Sequence, residues 1–294
     1  MMERIKQKED RCMAEFAEQV IWKKGKVPYL TFPVFEQMDW LTFGFSTRRG
    51  GVSEGYFQSM NLGFGRGDLV GNVEKNYERF CEAIEVKTEH LVFSDQIHET
   101  TVLRVGTEHR QGSQLISKKL KGVDGLITNE PEVVLVTSYA DCVPLFFADE
   151  EHHAIGASHS GWRGTVGKIG EKTVKQMKQE FGTDPSKLKA VIGPSICQSC
   201  YEVSEDVAEQ FEQLFPDDRS DVLEPGKPGK YQLNLWKANE RILVQAGLKR
   251  ENICISGYCT CHHPDLLFSH RATNGKRGNM CGFLSIRGEN AAGM

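Results

Sequence analysis

Short apolar runs, each bounded by polar or glycine residues, recur through the first half of the chain and predict β-strands. One segment there has a different period, because its apolar residues recur at helical spacing, and it predicts a helix over residues 73–84. The apolar positions of that helix are Val73, Tyr77, Phe80 and Ile84. The predicted strands of this half cover residues 29–35, 41–46, 91–97, 101–105 and 125–128.

The second half of the chain alternates strands with longer helical patterns. The clearest helix pattern opens at Gly161 and is followed by Gly182, which suits a C-cap. Further helices are predicted over residues 205–214 and 235–246, and a polar loop rich in Pro and Gly over residues 216–230. The predicted strands of this half cover residues 133–138, 143–148, 154–158, 190–192, 253–256 and 282–286.

This mixed pattern predicts an α+β protein in which helices lie outside packed sheets. Hairpins dominate the first half and β–α units the second, and no linker composition separates the two. The charged first residues predict a helix that packs loosely. We therefore expect an N-terminal helical extension over residues 1–25 and a single domain over residues 26–294.

Composition and charge narrow the classes of function. The 294 residues include 36 Lys and Arg against 40 Asp and Glu, so no broad basic surface favours a nucleic acid. The most apolar run, residues 133–147, is interrupted by polar residues and is shorter than the ~20 residues of a membrane span. The charged N-terminus lacks the apolar region of a signal peptide. These features predict a cytoplasmic protein with neither a nucleic acid nor a membrane as partner.

Nine cysteines are scattered along the chain, and a reducing cytosol disfavours disulfides between them. Cys197 and Cys200 have the CxxC spacing of metal ligands, and the segment CTCHH follows at residues 259–263. Together these two segments would make a closed structural zinc site. The alternative is that they hold reduced thiols that pack in the core or face solvent.

Three segments interrupt apolar strands with residues that bind metals. His98 lies in SDQIH after a strand, Cys142 in ADCVP between two strands, and His159 in ASHSGWRG where a strand meets a helix. Each segment has an ordinary structural explanation as a turn. Taken together, two imidazoles and one thiolate suit Zn²⁺, and three protein ligands leave the open position of a catalytic site.

Glycine-rich segments that carry arginine are candidate anion sites. Arg163 follows Gly161 at the start of a predicted helix, where free N–H groups and the helix dipole favour an anion. Arg48 lies in STRRGGVS, whose backbone suits a phosphate, although a polar hairpin loop is the simpler explanation. A third segment, residues 269–278, is expected to be a solvated loop unless it folds over the site.

Several segments, taken in their order along the chain, resemble a known family. They are GFSTRRGGVS, SMNLG, DQIH, ADCVPL, SHSGWRG, IGPSIC with CYEV, and LFSHR. They are similar to the YfiH/YlmD family, once named multicopper polyphenol oxidoreductases or laccases, and also laccase-domain purine nucleoside phosphorylases. Bacillus-type members are the most similar, and the match runs over residues 41–286. The resemblance implies a single-domain α/β/β/α sandwich related to the deamidating cytotoxic-factor toxins, acting as one catalytic domain.

The resemblance also implies a zinc ion held by His98, Cys142 and His159, the residues already singled out. It implies phosphorolysis of adenosine, inosine, guanosine and methylthioadenosine to the base plus ribose-1-phosphate or methylthioribose-1-phosphate. It further implies deamination of adenosine to inosine. The expected partners are therefore purine nucleosides and inorganic phosphate, and we expect a monomer.

Four further residues receive roles on this basis. Arg48, and after it Arg163, would hold the phosphate with forked hydrogen bonds. Asp141 would transfer a proton or orient a metal ligand. Cys259 would be a thiol in the pocket or a core residue.

Two other functions stay open at this point. Cys142 as nucleophile with His159 as base would make a cysteine or zinc hydrolase, for example one that edits peptidoglycan precursors. One thiolate and two imidazoles also bind copper, so a copper-dependent polyphenol oxidase is the second alternative. The histidines do not form the paired HxH motifs expected of several laccase copper centres.

Overall fold

Two β-sheets lie face to face, and helices cover their outer surfaces. The computed structural model describes residues 19–112, 115 and 119–288. Its strands are β1 (Ile21–Lys23), β2 (Tyr29–Thr31), β3 (Leu41–Ser46), β4 (Leu91–Asp95), β5 (Val102–Arg104), β6 (Lys119–Lys121), β7 (Gly125–Thr128), β8 (Val134–Tyr139), β9 (Val143–Asp149), β10 (Ala154–Ser160), β11 (Lys189–Ile192), β12 (Glu202–Ser204), β13 (Leu223–Pro225), β14 (Lys230–Leu233), β15 (Ile253–Ile255) and β16 (Met280–Ile286). Its helices are α1 (Pro33–Glu36), α2 (Val70–Ala83), α3 (Trp162–Val166), α4 (Ile169–Phe181), α5 (Glu205–Leu214), α6 (Leu235–Gln245) and α7 (His270–Thr273).

The two large sheets mix antiparallel and parallel pairs. The first sheet has the strand order β1-β2-β3-β16-β8-β4-β6, and the second has the order β15-β11-β9-β10-β7-β5. The hairpin of β9 and β10 lies at the centre of the second sheet. Strands β12, β14 and β13 form a small third sheet. None of the helices in the described ranges has the length and apolar character that a membrane span requires.

Aromatic side chains fill the space between the two large sheets. Phe45 and Phe146 are completely buried there, and the rings of Phe43 and Phe146 meet edge to face with centroids 4.9 Å apart. Tyr139 packs between Phe45 and Phe146. Burying each such side chain contributes ~1.5–3 kcal/mol, so this layer accounts for much of the sandwich's stability.

Two further apolar layers hold the helices against the sheets. On the first sheet, Tyr77 and Phe80 of α2 pack against Phe283. On the second sheet, Met177 of α4 and Leu243 of α6 belong to one buried cluster with the residues of β9 and β10. The order of layers is therefore helix, sheet, sheet, helix, which confirms the predicted α+β class and the α/β/β/α sandwich.

Local chemistry explains where the elements differ from prediction. The strand predicted over residues 29–35 ends at Thr31, because Pro33 begins α1. The helix predicted from Gly161 breaks at Lys168, whose φ of 56° is left-handed. The loop predicted over residues 216–230 contains β13. The predicted N-terminal helical extension covers residues 1–25. Residues 1–18 lie outside the described residues, and within residues 19–25 the structure has strand β1 in place of a helix.

A candidate metal centre and its pocket

Three strand ends meet at one edge of the sandwich and bring the predicted metal ligands together. His98 follows β4, Cys142 lies in the turn from β8 to β9, and His159 lies within β10. Their ligand atoms all lie within 4.8 Å of one another, and the Cys142 Sγ is 3.9 Å from Nε2 of His98. We call these three residues the metal trio. Two imidazoles and one thiol at this closeness have the chemistry of a transition-metal site.

A fourth residue, Asp124, organises the metal trio and is absent from the sequence-based prediction. Its completely buried carboxylate accepts a hydrogen bond from Nδ1 of His159 at 2.9 Å and from the backbone N–H of His98 at 3.1 Å. The N–H groups of Ile97 and Glu99 donate to the same carboxylate. The carboxylate leaves Nε2 of His159 as the metal-binding nitrogen. Its signal in the sequence is slight: a single Asp before a glycine, at the start of a strand.

Electrostatics bias Cys142 and His159 toward an ion pair. Burial alone would raise the pKa of Cys142, but the charges and hydrogen bonds of His159 and His98 together outweigh it and lower that pKa to about 6. Burial alone would lower the pKa of His159, but Cys142 and Asp124 raise it to about 9. Burial likewise opposes the ionised form of Asp124, yet the hydrogen bond and charge of His159, together with the backbone N–H groups of Glu99 and Ile97, keep the pKa of this carboxyl below its ordinary value. A thiolate ligand is therefore available at neutral pH.

Gly161 allows the metal trio to close. A Cβ atom at this position would lie 3.1 Å from Sγ of Cys142 and 3.1 Å from Cδ2 of His98. Few Cβ atoms tolerate contacts this short, so a larger residue would push two ligands away from each other. The glycine after His159 thus serves close packing of side chains, and its φ of −68° needs no special backbone freedom.

A cavity of about 240 Å³ opens beside the metal trio. Arg66 and Arg277 are among its lining residues, together with the carboxylate of Asp95 and the aromatic rings of Phe64 and Tyr77. These two rings are stacked, with centroids 5.4 Å apart. The cavity therefore combines metal-binding, basic and aromatic side chains, as small-molecule sites commonly do.

Arg277 is the more buried of the two arginines that line this cavity. It is only 8% exposed, and within the described ranges its Nε has no hydrogen-bond partner. Burial, and then the charge of Arg66, lowers the pKa of Arg277 to about 10, so it remains cationic at neutral pH. Arg277 belongs to segment 269–278, which was expected to be solvated unless it folds over the site. It does fold over: the backbone N–H of Arg271 donates to Asp141 at 2.7 Å.

The two arginines predicted to hold phosphate lie elsewhere. Nε of Arg48 donates to the carbonyl oxygen of Gln58 at 2.9 Å, and its guanidinium lies 4.7 Å from the ring of Phe268. Arg163 is exposed, and its guanidinium stacks over Trp162 at 4.3 Å. Neither arginine lines the cavity beside the metal trio.

Asp141 and Cys259 lie next to the metal trio without facing its cavity. Asp141 accepts a hydrogen bond from the Thr260 hydroxyl at 2.6 Å, and its other oxygen accepts from Arg271. Its carboxylate therefore ties two loops to the turn that carries Cys142. Cys259 is completely buried and belongs to a second close group with Cys197, Cys200 and His262.

Comparison with known proteins identifies one family and several similar relatives. The family described as multi-copper polyphenol oxidoreductase laccase matches residues 42–287. The purine nucleoside phosphorylase YlmD of Bacillus subtilis is 39% identical over 245 residues, which is 83% of this chain and 88% of that protein. A purine nucleoside phosphorylase of Bacteroides thetaiotaomicron is 37% identical over 242 residues, covering 82% of this chain and 90% of the relative.

Solved structures give the same result for the fold. The crystal structure of YlmD from Geobacillus stearothermophilus matches with a TM-score of 0.86 and 33% identity, over 92% of this chain and 100% of that chain. The crystal structure of YfiH from Bacillus licheniformis matches with a TM-score of 0.85 and 32% identity, over 90% of this chain and 99% of the other.

Proposed function

The chain belongs to the multi-copper polyphenol oxidoreductase laccase family, and from that premise we propose that it is a zinc-dependent purine nucleoside phosphorylase. The observation that carries the proposal is the cavity in which the metal trio and the buried Arg277 lie together. The relatives named purine nucleoside phosphorylase support the same activity. The substrates we propose are adenosine, inosine, guanosine and methylthioadenosine.

The chemistry of the donors supports zinc at the metal trio. One thiolate and two imidazoles are borderline-soft ligands that suit Zn²⁺ in a site with three protein ligands. His98, Cys142 and His159 would hold the ion, and Asp124 would fix the orientation of His159. Bound there, zinc would supply a Lewis acid beside the cavity.

Phosphorolysis needs an anion held against the sugar. In this reaction a phosphate oxygen bonds to C1′ while the C1′–N9 bond breaks and its electron pair leaves with the base, which then takes up a proton. We assign phosphate binding to Arg277 and Arg66, because both face the cavity and Arg277 has a buried donor without a partner among the described residues. Asp95 would accept hydrogen bonds from the ribose hydroxyls, and the ring of Phe64 would contact the base.

Deamination of adenosine to inosine and ammonia is the second activity we propose for the same cavity. A metal held by three protein ligands, with access from a cavity, is the arrangement of hydrolytic metal sites. The metal trio meets both conditions, since its ligand atoms lie within 4.8 Å of one another and all three of its members line the cavity.

A cysteine hydrolase is the alternative that one observation favours. Cys142, His159 and Asp124 form a thiol, imidazole and carboxylate in the order of a nucleophile, its base and an orienting group. The two functions differ in their need for His98, which binds metal in the first and lies outside the group of nucleophile, base and orienting carboxylate in the second. A copper-dependent polyphenol oxidase would instead require copper at the metal trio.

The test is product analysis with protein whose metal content has been measured. Zinc-loaded protein is incubated with adenosine, with and without phosphate, and the products are identified by mass spectrometry. We expect adenine and ribose-1-phosphate only with phosphate, and inosine in both reactions. His98→Ala, purified in the same way, is the control for contaminating host enzymes and should lose zinc and both activities.

Two outcomes would contradict the proposal. Full activity of metal-free His98→Ala would exclude the metal mechanism. No turnover by zinc-loaded protein, together with a covalent acyl adduct on Cys142 after incubation with amide substrates, would establish the cysteine hydrolase instead. Copper-dependent oxidation of phenols by protein that is inactive with zinc would establish the oxidase.

A further inference from the structure

A second group of metal-binding side chains lies behind the turn that carries Cys142. The group consists of Cys197, Cys200, Cys259 and His262, and we call it the cysteine cluster. Its four ligand atoms all lie within 4.8 Å of one another. Nε2 of His262 is 3.0 Å from Sγ of Cys200, and Nδ1 of His262 is 3.9 Å from Sγ of Cys197.

Backbone pairing brings the two halves of the cluster together. A parallel β-bridge joins Ser195 to Cys259, and the backbone N–H of Cys197 lies 3.4 Å from Sγ of Cys259. Cys197 and Cys259 are buried, whereas Cys200 and His262 are half-buried. This pairing therefore holds the two segments that carry the cluster side by side.

We propose that Cys197, Cys200, Cys259 and His262 bind a second zinc ion in a closed structural site, separate from the metal trio. Three thiolates and one imidazole are a frequent ligand set of structural zinc, and both pairs have the spacing of two intervening residues that such sites use. Zinc bonds of ~2.0–2.3 Å in tetrahedral geometry place donors roughly 3.3–3.8 Å apart, which requires only small movements here.

The position of the cluster indicates what such an ion would stabilise. It would pin the turn at residues 197–200 to the turn at residues 259–262. Both turns bind Asp141: the Ile196 N–H donates to its carbonyl oxygen at 3.0 Å, and Thr260 donates to its carboxylate. Asp141 in turn precedes Cys142. A metal in the cysteine cluster would thus hold the turn of the metal trio from behind.

Arg271 connects Asp141 to the cysteine cluster. Its backbone N–H donates to the carboxylate of Asp141, and its Nη1 donates to the carbonyl oxygen of Cys200 at 3.0 Å. The segment that carries Arg277 into the cavity is therefore attached both to Asp141 and to the cluster. With four protein ligands the site has no open position, so its role would be stability and positioning rather than chemistry.

Removing the thiolate of the metal trio isolates the cluster for measurement. Full-length Cys142→Ala is purified without chelator, and its zinc content is measured by inductively coupled plasma mass spectrometry. We expect about one zinc per chain in this variant, and almost none in the double variant Cys142→Ala with Cys200→Ser. Cys142→Ala with Cys254→Ser is the matched control, because Cys254 is a half-buried thiol outside both groups, and it should keep the zinc.

Cobalt gives a second measurement that needs no change in the cluster. In Cys142→Ala the metal trio has no thiolate, so sulfur-to-cobalt charge-transfer absorption reports the cysteine cluster alone. We expect that absorption after exchange of zinc for Co²⁺, and we expect zinc to shield the cluster thiols from iodoacetamide until a chelator is added. This readout is independent of any nucleoside activity.

Three results would overturn the proposal. The first is the absence of bound zinc when Cys142→Ala has been incubated with excess zinc and then separated from free metal by gel filtration. The second is a Cys197–Cys200 disulfide in protein purified without oxidant. The third is loss of this zinc in Cys261→Ser, because Cys261 lies outside the four assigned ligands and its loss should leave the metal bound.

Discussion

Asp124 accepts a hydrogen bond from Nδ1 of His159 at 2.9 Å and has no exposed surface. The same carboxylate accepts the backbone N–H of His98, so one buried side chain orients two members of the metal trio from two different strands. Residues that orient metal ligands in this way commonly change metal affinity 10–100-fold when they are replaced. Asp124 therefore makes the first prediction, although it touches neither the cavity nor the metal.

We expect Asp124→Asn to weaken zinc binding at the metal trio by about 10–100-fold. The amide NH₂ group would face N–H donors, and the imidazole would lose its fixed orientation. Zinc affinity is measured by competition with a chromophoric chelator. The matched control is Asp149→Asn, because buried Asp149 accepts a hydrogen bond from His152 at 2.8 Å away from the cavity. Equal losses in both variants would show a general effect on folding.

Gly161→Ala should reduce zinc content and activity while leaving the fold intact. The new methyl group would lie 3.1 Å from both Sγ of Cys142 and Cδ2 of His98, so the two ligands would separate. Zinc content and the melting temperature are measured on the same sample. Gly25→Ala, where a Cβ meets nothing within 4 Å, is the control. A variant with unchanged zinc affinity would show that the trio tolerates this contact.

Gly282→Ala should have the opposite profile. Its Cβ would lie 2.2 Å from Cζ of Phe146, between the two sheets, and overpacking of this kind costs ~1–3 kcal/mol. We expect a lower free energy of unfolding in urea but normal zinc affinity in the fraction that is folded. The control is Gly71→Ala in α2, which has open space and should be slightly stabilising. Unchanged stability of Gly282→Ala would mean that the aromatic layer adapts freely.

The pH dependence of alkylation tests the charge state of Cys142 in metal-free protein. His159, with a smaller contribution from His98, lowers the pKa of Cys142 to about 6 despite its burial, so the thiolate form is present above that pH and is lost as pH falls through it. The rate of reaction with iodoacetamide should therefore be half-maximal near pH 6. Peptide mapping gives an internal control, since burial raises the pKa of Cys254 to about 12. In His159→Gln the midpoint should rise toward that of an ordinary thiol; an unchanged midpoint would refute the pairing.

The clearest periodic patterns predicted the fold well. The helix predicted over residues 205–214 coincides with α5, and the strands predicted over residues 41–46 and 125–128 coincide with β3 and β7. The helix has one apolar face, whereas the two strands are short apolar runs buried at nearly every position, and both patterns are local to the segment. The closeness of the metal trio was also predictable, because each member stands where an apolar strand ends.

The remaining parts of the site depend on contacts between distant segments. Asp124 meets His98 and His159 only when three strands are aligned, and no local pattern marks a carboxylate that binds backbone N–H groups. Arg277 reaches the cavity because Arg271 is tied to Asp141. Local composition instead favoured Arg48, whose donors bind carbonyl oxygens within the fold.

Arg277→Gln tests which arginine holds the phosphate. A charge-assisted hydrogen bond contributes ~1.5–3 kcal/mol, so its loss should raise the KM for phosphate in phosphorolysis about 10–100-fold. Deamination, which uses no phosphate, should change much less. Steady-state rates with adenosine at varied phosphate measure both reactions in one protein. Arg48→Gln is the matched control and should leave the KM for phosphate unchanged; a larger effect there than in Arg277→Gln would return the phosphate to the arginine that the sequence alone favours.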